Sequence, residues 1–484
     1  MPKEFPDGIA GSGDRSDACE LRVLPAVPED RKLTPGISEN HRIAASTRIH
    51  GPPQIVLRHD KRNDMMSDPV REALVQRLET DAEEAIAFLR GFLRSRSANP
   101  PGDTTEAADH IGAYLDKAGA PWRFEAAAPH LPNVVGTFEG GRSGKHLVLN
   151  GHIDVFPPLD ETGWSGDRRD GKIFGRGAAD MKAGTAAAVL TYAWLHDIRD
   201  KLPGKLTLTA VSDEQTGGAL GTRWLLETLR DEVLGDCCLN GEPSGLNNVR
   251  FMEKGTRRYL ITVRAPGGHG GYPHLSRNPN KIIATIISEL DRRLHMRPAT
   301  LPENIARLLT TPEAIATLEA GMGPGAADVV RSMTFNPGVV KGGLKVNQIP
   351  HECSVEIDIR IPVGIDFDKV HEEVVEVCTK NDAEWELIAT HSYPGSLADP
   401  ESLMMTIIRD NAEAATGKRP IPMSSLGGSD SRYWRWENVP AYLYGPSPVT
   451  MGRADEHVTE AEYLAVLRVH LLSSYDYLTQ SADQ

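Results

Sequence analysis

Lys145-His146-Leu147-Val148-Leu149-Asn150-Gly151-His152-Ile153-Asp154-Val155 is the stretch whose reading decides the fold class. The run from His146 to Leu149 has the near-continuous apolar character of a strand buried on both faces, as in a parallel sheet covered by helices. Working outward, the neighbours alternate in type. Residues 183–198 are Ala-rich and helical, 205–211 read as a strand and 220–229 as a helix. On the other side, 133–138 and 122–126 are extended, and 104–117 is a helix with Thr104 or Thr105 as its cap. Residues 67–98 carry Val70, Leu74, Leu78, Ile86, Phe88, Leu89 and Leu93 at near-helical spacing, ended by Asn99-Pro100-Pro101-Gly102. Beyond residue 362 the alternation resumes, with helices near 367–381, 402–416 and 461–478 and strands near 385–389 and 441–444. Strand and helix in turn predict an α/β fold.

The segment from about 250 to 362 differs. A strand at 259–264, a helix at 279–294 and an alternating, half-buried strand at 354–361 predict a smaller α+β insert. The expected organisation is a tail over residues 1–65, a catalytic domain split into 66–249 and 364–484, and a lid over 250–363. The tail is rich in Pro, Gly, Ser, Arg and Asp, and Met65-Met66 marks the expected start of the folded part.

Composition narrows the function. The 484 residues include 53 Lys and Arg against 67 Asp and Glu, a formal net charge of -14, which argues against nucleic acid or an anionic membrane as partner. The longest nearly apolar run, 185–195, is far shorter than the roughly 20 residues that span a bilayer. Five cysteines without a CxxC pair, and an N-terminus without an apolar signal region, point to a reducing compartment, with the cytoplasm as the expectation.

Acids and histidines recur just after predicted strands, where open α/β sheets place their sites. They stand in His152-Ile-Asp154, Ala179-Asp180-Met181, Ser212-Asp-Glu214-Gln215, Asn240-Gly-Glu242-Pro243 and Asp455-Glu456-His457. Imidazoles and carboxylates together can hold one or two divalent ions. In His-x-Asp on a strand both side chains share a face, so Asp154 can accept the second ring N–H of His152. Cys237-Cys238, Trp164, His274 and His351 receive ordinary structural readings.

The ordered set resembles the M20 metallopeptidase family, which includes acetylornithine deacetylase, succinyl-diaminopimelate desuccinylase, aminoacylase and carboxypeptidase G. The resemblance runs from Leu78 to the C-terminus. It is carried by Asn150 to Pro158, Gly175 to Gly184, Ser212 to Gly218, Gly241 to Ser244, Gly268 to His274, Asn347 to Pro350 with Arg360, and Glu456-His457. It implies an α/β catalytic domain interrupted by a lid, and a metal pair bridged by Asp180 and a water or hydroxide. Zinc is the leading expectation, cobalt or manganese the alternatives. His152 and Glu242 would hold one ion, His457 and residue 215 the other, with Asp154 supporting His152 and Glu214 as general base. The family usually has Glu at 215. Gln215 is neutral and a weaker ligand, so the second ion is expected to bind weakly or to be absent.

The resemblance further implies a homodimer built through the lid, with His269 stabilising the oxyanion in the neighbouring subunit's site. Asn347, Arg360, Gly428 and Ser429 would contact a small carboxylate-bearing substrate, a guanidinium suiting both carboxylate oxygens. The expected activity is metal-dependent hydrolysis of an amide or peptide bond, as in an N-acyl amino acid. Its rivals are a one-metal hydrolase of a formamide or aromatic amine, and a non-catalytic binding relative.

Overall fold

The computed structural model describes residues 68–480, so the tail expected over 1–65 and the start at Met65-Met66 lie outside the described residues. Among those residues, a nine-stranded sheet forms the larger part. Its order is Arg123–Glu125, Asn133–Glu139, Pro203–Val211, Arg142–His152, Cys237–Asn240, Ala441–Leu443, Asn248–Glu253 and Ser396–Leu397, with Ile421–Ser425 also paired to Asn248–Glu253. The strands from Pro203–Val211 to Ala441–Leu443 are parallel neighbours. Leu147 and Leu149 enter the main core and Val148 a second core on the opposite face. Burial on both faces is why that strand is apolar without alternation.

The Lys182–His196 helix is buried along nearly its whole length, between the sheet and the Ala82–Arg94 and Glu460–Thr479 helices. Its small side chains permit that depth. The buried Lys182 is satisfied there, its Nζ donating to the carbonyls of Phe92 (2.9 Å) and Ser95 (2.6 Å) at the end of Ala82–Arg94. Two residues further on, the helix meets the loop after Cys237–Asn240 backbone to backbone. A Cβ on Gly184 would lie 1.9 Å from the Gly241 carbonyl oxygen. This approach brings the loop of Asp180 and the loop of Glu242 together.

The single helix expected over 67–98 is two, Pro69–Thr80 and Ala82–Arg94, because Asp81 between them leaves helical geometry at φ -102°, ψ 11°. The lid boundaries also change. Its antiparallel sheet runs Thr334–Gly342, Glu352–Ile361, Gly255–Arg264, Glu384–Leu387. The Pro279–Leu294 and Phe367–Lys380 helices cover one face, with Ile286, Leu290, Val370 and Val374 packed on Ile261, Val355 and Ile359. This is a βαββαβ unit. The expected end at 363 leaves out its last helix and strand, because Gly255–Arg264 is an inner strand that needs Glu384–Leu387 on its outer side. The expected start at 250 falls within Asn248–Glu253, which belongs to the large sheet.

Residues between the Pro279–Leu294 helix and the Thr334–Gly342 strand return to the catalytic core. Ile305, Leu309, Leu318 and Val330, on helices Glu303–Leu309, Pro312–Met322 and Ala326–Arg331, are buried in the main core. The buried Lys254 fastens them there, its Nζ donating to the carbonyls of Val329 and Ser332. The chain enters the lid at Gly255 and leaves it at Tyr393–Gly395. The two crossings lie side by side, joined by a bridge between Thr256 and Tyr393, and a Cβ on Gly255 would be 2.5 Å from Gly395 N.

Gly184→Ala is expected to lower the unfolding free energy by about 1–3 kcal/mol in denaturant titrations, since backbone meets backbone and neither can step aside. Gly427→Ala, where an added Cβ meets nothing within 4 Å, is expected to stay within about 0.5 kcal/mol of the parent.

Candidate active site

The parallel strands end at one edge of the sheet, and the chemistry collects there as it does in open α/β sheets. His152 closes Arg142–His152, Glu214 and Gln215 follow Pro203–Val211, and Glu242 follows Cys237–Asn240. His152 Nε2 lies 3.1 Å from Asp180 Oδ1, 3.5 Å from Glu242 Oε1 and 3.8 Å from Glu214 Oε2. Its Nδ1 donates to the carbonyl oxygen of Asp154 at 2.8 Å, so the lone pair of a neutral ring sits on Nε2, facing the acids. One donor atom each from His152, Asp180 and Glu242 lies within 4.8 Å of the others.

An imidazole lone pair and several carboxylate oxygens repel unless a proton or a cation stands among them. Burial disfavours a charged His152, but Asp154, Asp180 and Glu242 outweigh it and hold its pKa well above the usual value. Burial lifts Glu242 to about 7, with the Asp180 charge adding to the rise. Burial lifts Glu214 well above the carboxylate range too, against the pull of His152. The donor set therefore fits a divalent ion: one neutral nitrogen and two carboxylates, with the ring oriented from behind.

Asp154 holds the turn that carries Glu214. Its Oδ1 accepts from Glu214 N (3.2 Å), and its Oδ2 from Gln215 N (3.0 Å) and Asn99 Nδ2 (3.0 Å). The turn opens at Asp213 with φ 80°, a left-handed conformation uncommon outside glycine. Asp213 is held there by its own side chain, which accepts from Thr216 Oγ1 and from Leu220 N.

The family model described as peptidase family M20/M25/M40 matches residues 148–473, spanning every one of these side chains except Asn99. The chain belongs to peptidase family M20/M25/M40. It is accordingly a hydrolase of amide or peptide C–N bonds. A succinyl-diaminopimelate desuccinylase of Cereibacter sphaeroides is 30% identical over 372 residues, covering 72% of this chain and 88% of that one. One of Rhodospirillum centenum is 27% identical over 405 residues, covering 80% and 96%. In fold, an M20 family metallo-carboxypeptidase from Sulfolobus solfataricus superposes with a TM-score of 0.71 at 18% identity, covering 82% of this chain and all of that one.

The other residues expected at this M20 site are placed as follows. His457 is half-buried, its Nδ1 paired with the Asp455 carbonyl at 2.7 Å, and it is outside the three-residue donor group. Gln215 presents its amide nitrogen, not its oxygen, to Asp180. Ser429 is buried and its hydroxyl donates to Glu253 at 2.7 Å, which fixes the Gly427–Asp430 loop. Gly428 abuts the crossing at Tyr393, since a Cβ there would be 2.2 Å from the Tyr393 hydroxyl. In the lid, His269 and Asn347 lie on adjoining exposed segments, and Arg360 is paired with Asp358 at 2.9 Å. Among the described residues no hydrogen bond or ion pair joins these three to the His152 cluster.

Sequence reasoning passed over the groups that hold this M20 cluster from outside. The buried Glu456 accepts from the backbone N–H groups of Gly177, Ala179 and Asp180 and pairs with the buried Arg176. Its place beside His457 was the only cue. Arg432 is buried between the rings of Tyr393 and Tyr433 and reaches within 4.0 Å of Glu214 Oε1. A lone Arg after Ser-Asp-Ser carries no signal of that. Glu456→Ala leaves Arg176 buried without a counter-charge, and is expected to cost about 3–5 kcal/mol of stability in thermal or denaturant unfolding. Added Zn or Mn should raise the melting temperature of the variant less than that of the parent, because the Asp180 loop loses its anchor.

Proposed function

We propose that this M20 enzyme removes a small acyl group, succinyl among the candidates, from an amino acid bearing free carboxylates. The observation that carries the reading is Glu214, half-buried with its Oε2 3.8 Å from His152 Nε2, beside the converged Asp180 and Glu242. A divalent ion held by those three would supply Lewis acidity toward the scissile carbonyl and the attacking water. Glu214 takes the proton of that water and delivers it to the leaving amine, a task suited to a carboxylate whose burial has raised its affinity for protons. Asp154 keeps the Glu214 turn and the His152 ring in register throughout.

Substrate carboxylates find cations in the lid. Arg258 and Arg360 flank Asp358 on the face of the lid sheet away from its helices, and two guanidinium groups against one acid leave a net positive patch. The named relatives support succinyl as the acyl group. Zinc is the proposed ion by donor chemistry, with cobalt or manganese as substitutes. The four described cysteines are free and buried, which supports a cytoplasmic setting, and no described helix is long and apolar enough to cross a membrane.

A homodimer completes the proposal. Thr334–Gly342 is an edge strand of the lid, with Val339 and Val340 exposed, and Leu344 and Val346 stand fully exposed on the following turn. A second copy covers such an edge by continuing the sheet, and His269 then serves the neighbouring site as an oxyanion donor.

Amine release from N-succinyl, N-acetyl and N-formyl amino acids and from aromatic amines tests the reaction. Turnover of N-succinyl or N-acetyl amino acids is expected, falling about 10²–10⁴-fold in Glu214→Gln at unchanged metal content. Turnover of aromatic amines alone, or none in the whole panel, overturns the reading. Light scattering is expected to give a dimer that Val340→Lys with Val346→Lys converts to monomer; a monomeric parent removes the role given to His269.

A further inference from the structure

Gln215 sits beside the base and is held at both ends. Its backbone N–H donates to Asp154 Oδ2 at 3.0 Å, and its side-chain Nε2 lies 3.2 Å from Asp180 Oδ2. The two oxygens of Asp180 are thereby divided. Oδ1 faces His152 Nε2 at 3.1 Å, within the donor group, while Oδ2 is taken by the amide. The amide orientation follows from chemistry, since beside a carboxylate only the NH₂ end can form a hydrogen bond.

Charge points the same way. Asp180, Glu242 and Glu214 are the acids facing the His152 ring nitrogen. Against these three negative charges one divalent ion leaves a single negative charge, and two divalent ions leave a net positive one, in a site largely shielded from solvent. A fourth carboxylate at 215 would restore neutrality for a pair; a Gln does not. Arg432, 4.0 Å from Glu214, is balanced by the buried Asp430 at the same distance and leaves this count unchanged.

We infer that the Gln215 amide stands in for a second cation at Asp180, so that the chain holds one divalent ion, at His152, Asp180 and Glu242. The inference rests on the metal-binding reading of those three residues. Hydrogen bonds from Nε2 to Oδ2 and from the backbone N–H to Asp154 perform the two tasks a second ion would have had: balancing the outer oxygen of Asp180 and fixing the segment that follows the base.

The test is a metal count on the full chain, loaded with Mn or Zn and dialysed exhaustively, by elemental analysis and calorimetric titration. The parent is expected to retain one ion per chain, and Gln215→Glu two. The electron paramagnetic resonance signal of a coupled Mn pair should appear in Gln215→Glu and be missing from the parent. Two ions or a coupled signal in the parent overturn the inference, as does a folded Gln215→Glu that still holds one. If Gln215→Glu does not fold, the parent's count and its resonance signal decide alone. A parent that retains no ion, and whose titration is indistinguishable from that of His152→Ala, overturns the metal site itself.

Discussion

The buried carboxylate of Asp154 is the constraint on which the site depends. It has no exposure to water, and a buried anion persists only where donors are arranged around it. The donors come from far apart in the chain: Asn99 from the loop after the second helix, and the backbone of Glu214 and Gln215 from the loop after Pro203–Val211. Satisfying one anion therefore fixes a loop, a turn and, through the carbonyl and side chain of the same residue, the ring of His152. Glu456 repeats the principle on the other flank, where one buried carboxylate gathers the N–H groups leading into Asp180. The donor atoms are held by anions that lie behind them.

The parts legible in the sequence were those with a local cause. His146–Leu149 announced a strand covered on both sides, and the acids that follow predicted strands could only gather at the ends of a parallel sheet. His152, Asp180, Glu214 and Glu242 were found in that way. What escaped had partners distant in sequence. Nothing local tells that Glu456 will face residues 177–180, that Ser429 will turn toward Glu253, or that Arg432 will lie between two tyrosines. The lid boundary failed for the same reason. The helix and strand over 367–387 look alike whichever sheet they join, and only the pairing of Glu384–Leu387 with Gly255–Arg264 decides. The helices over 303–331 carry a plain apolar pattern that does not say which core it enters.

Two buried lysines show how the interior of the catalytic part tolerates charge. Lys182 and Lys254 each end on the carbonyls that close a helix, where the backbone has acceptors to spare. Burial lowers the pKa of both, Lys182 to about 7 and Lys254 to about 8. Each ties together segments separated by many residues, Lys182 behind the Asp180 loop and Lys254 at the entrance to the lid.

The crossings at Gly255 and Tyr393–Gly395 have a mechanical consequence. Two strands that pass side by side act as a single pivot, and a body hung on one pivot could swing through a wide arc. The helices over 303–331 leave that body and bury their apolar faces in the catalytic core. They form a tether at a distance from the axis, so the arc available to the lid is limited by the slack in the segments that lead to and from them. The unit is thereby strapped to the core at a second place, away from its pivot.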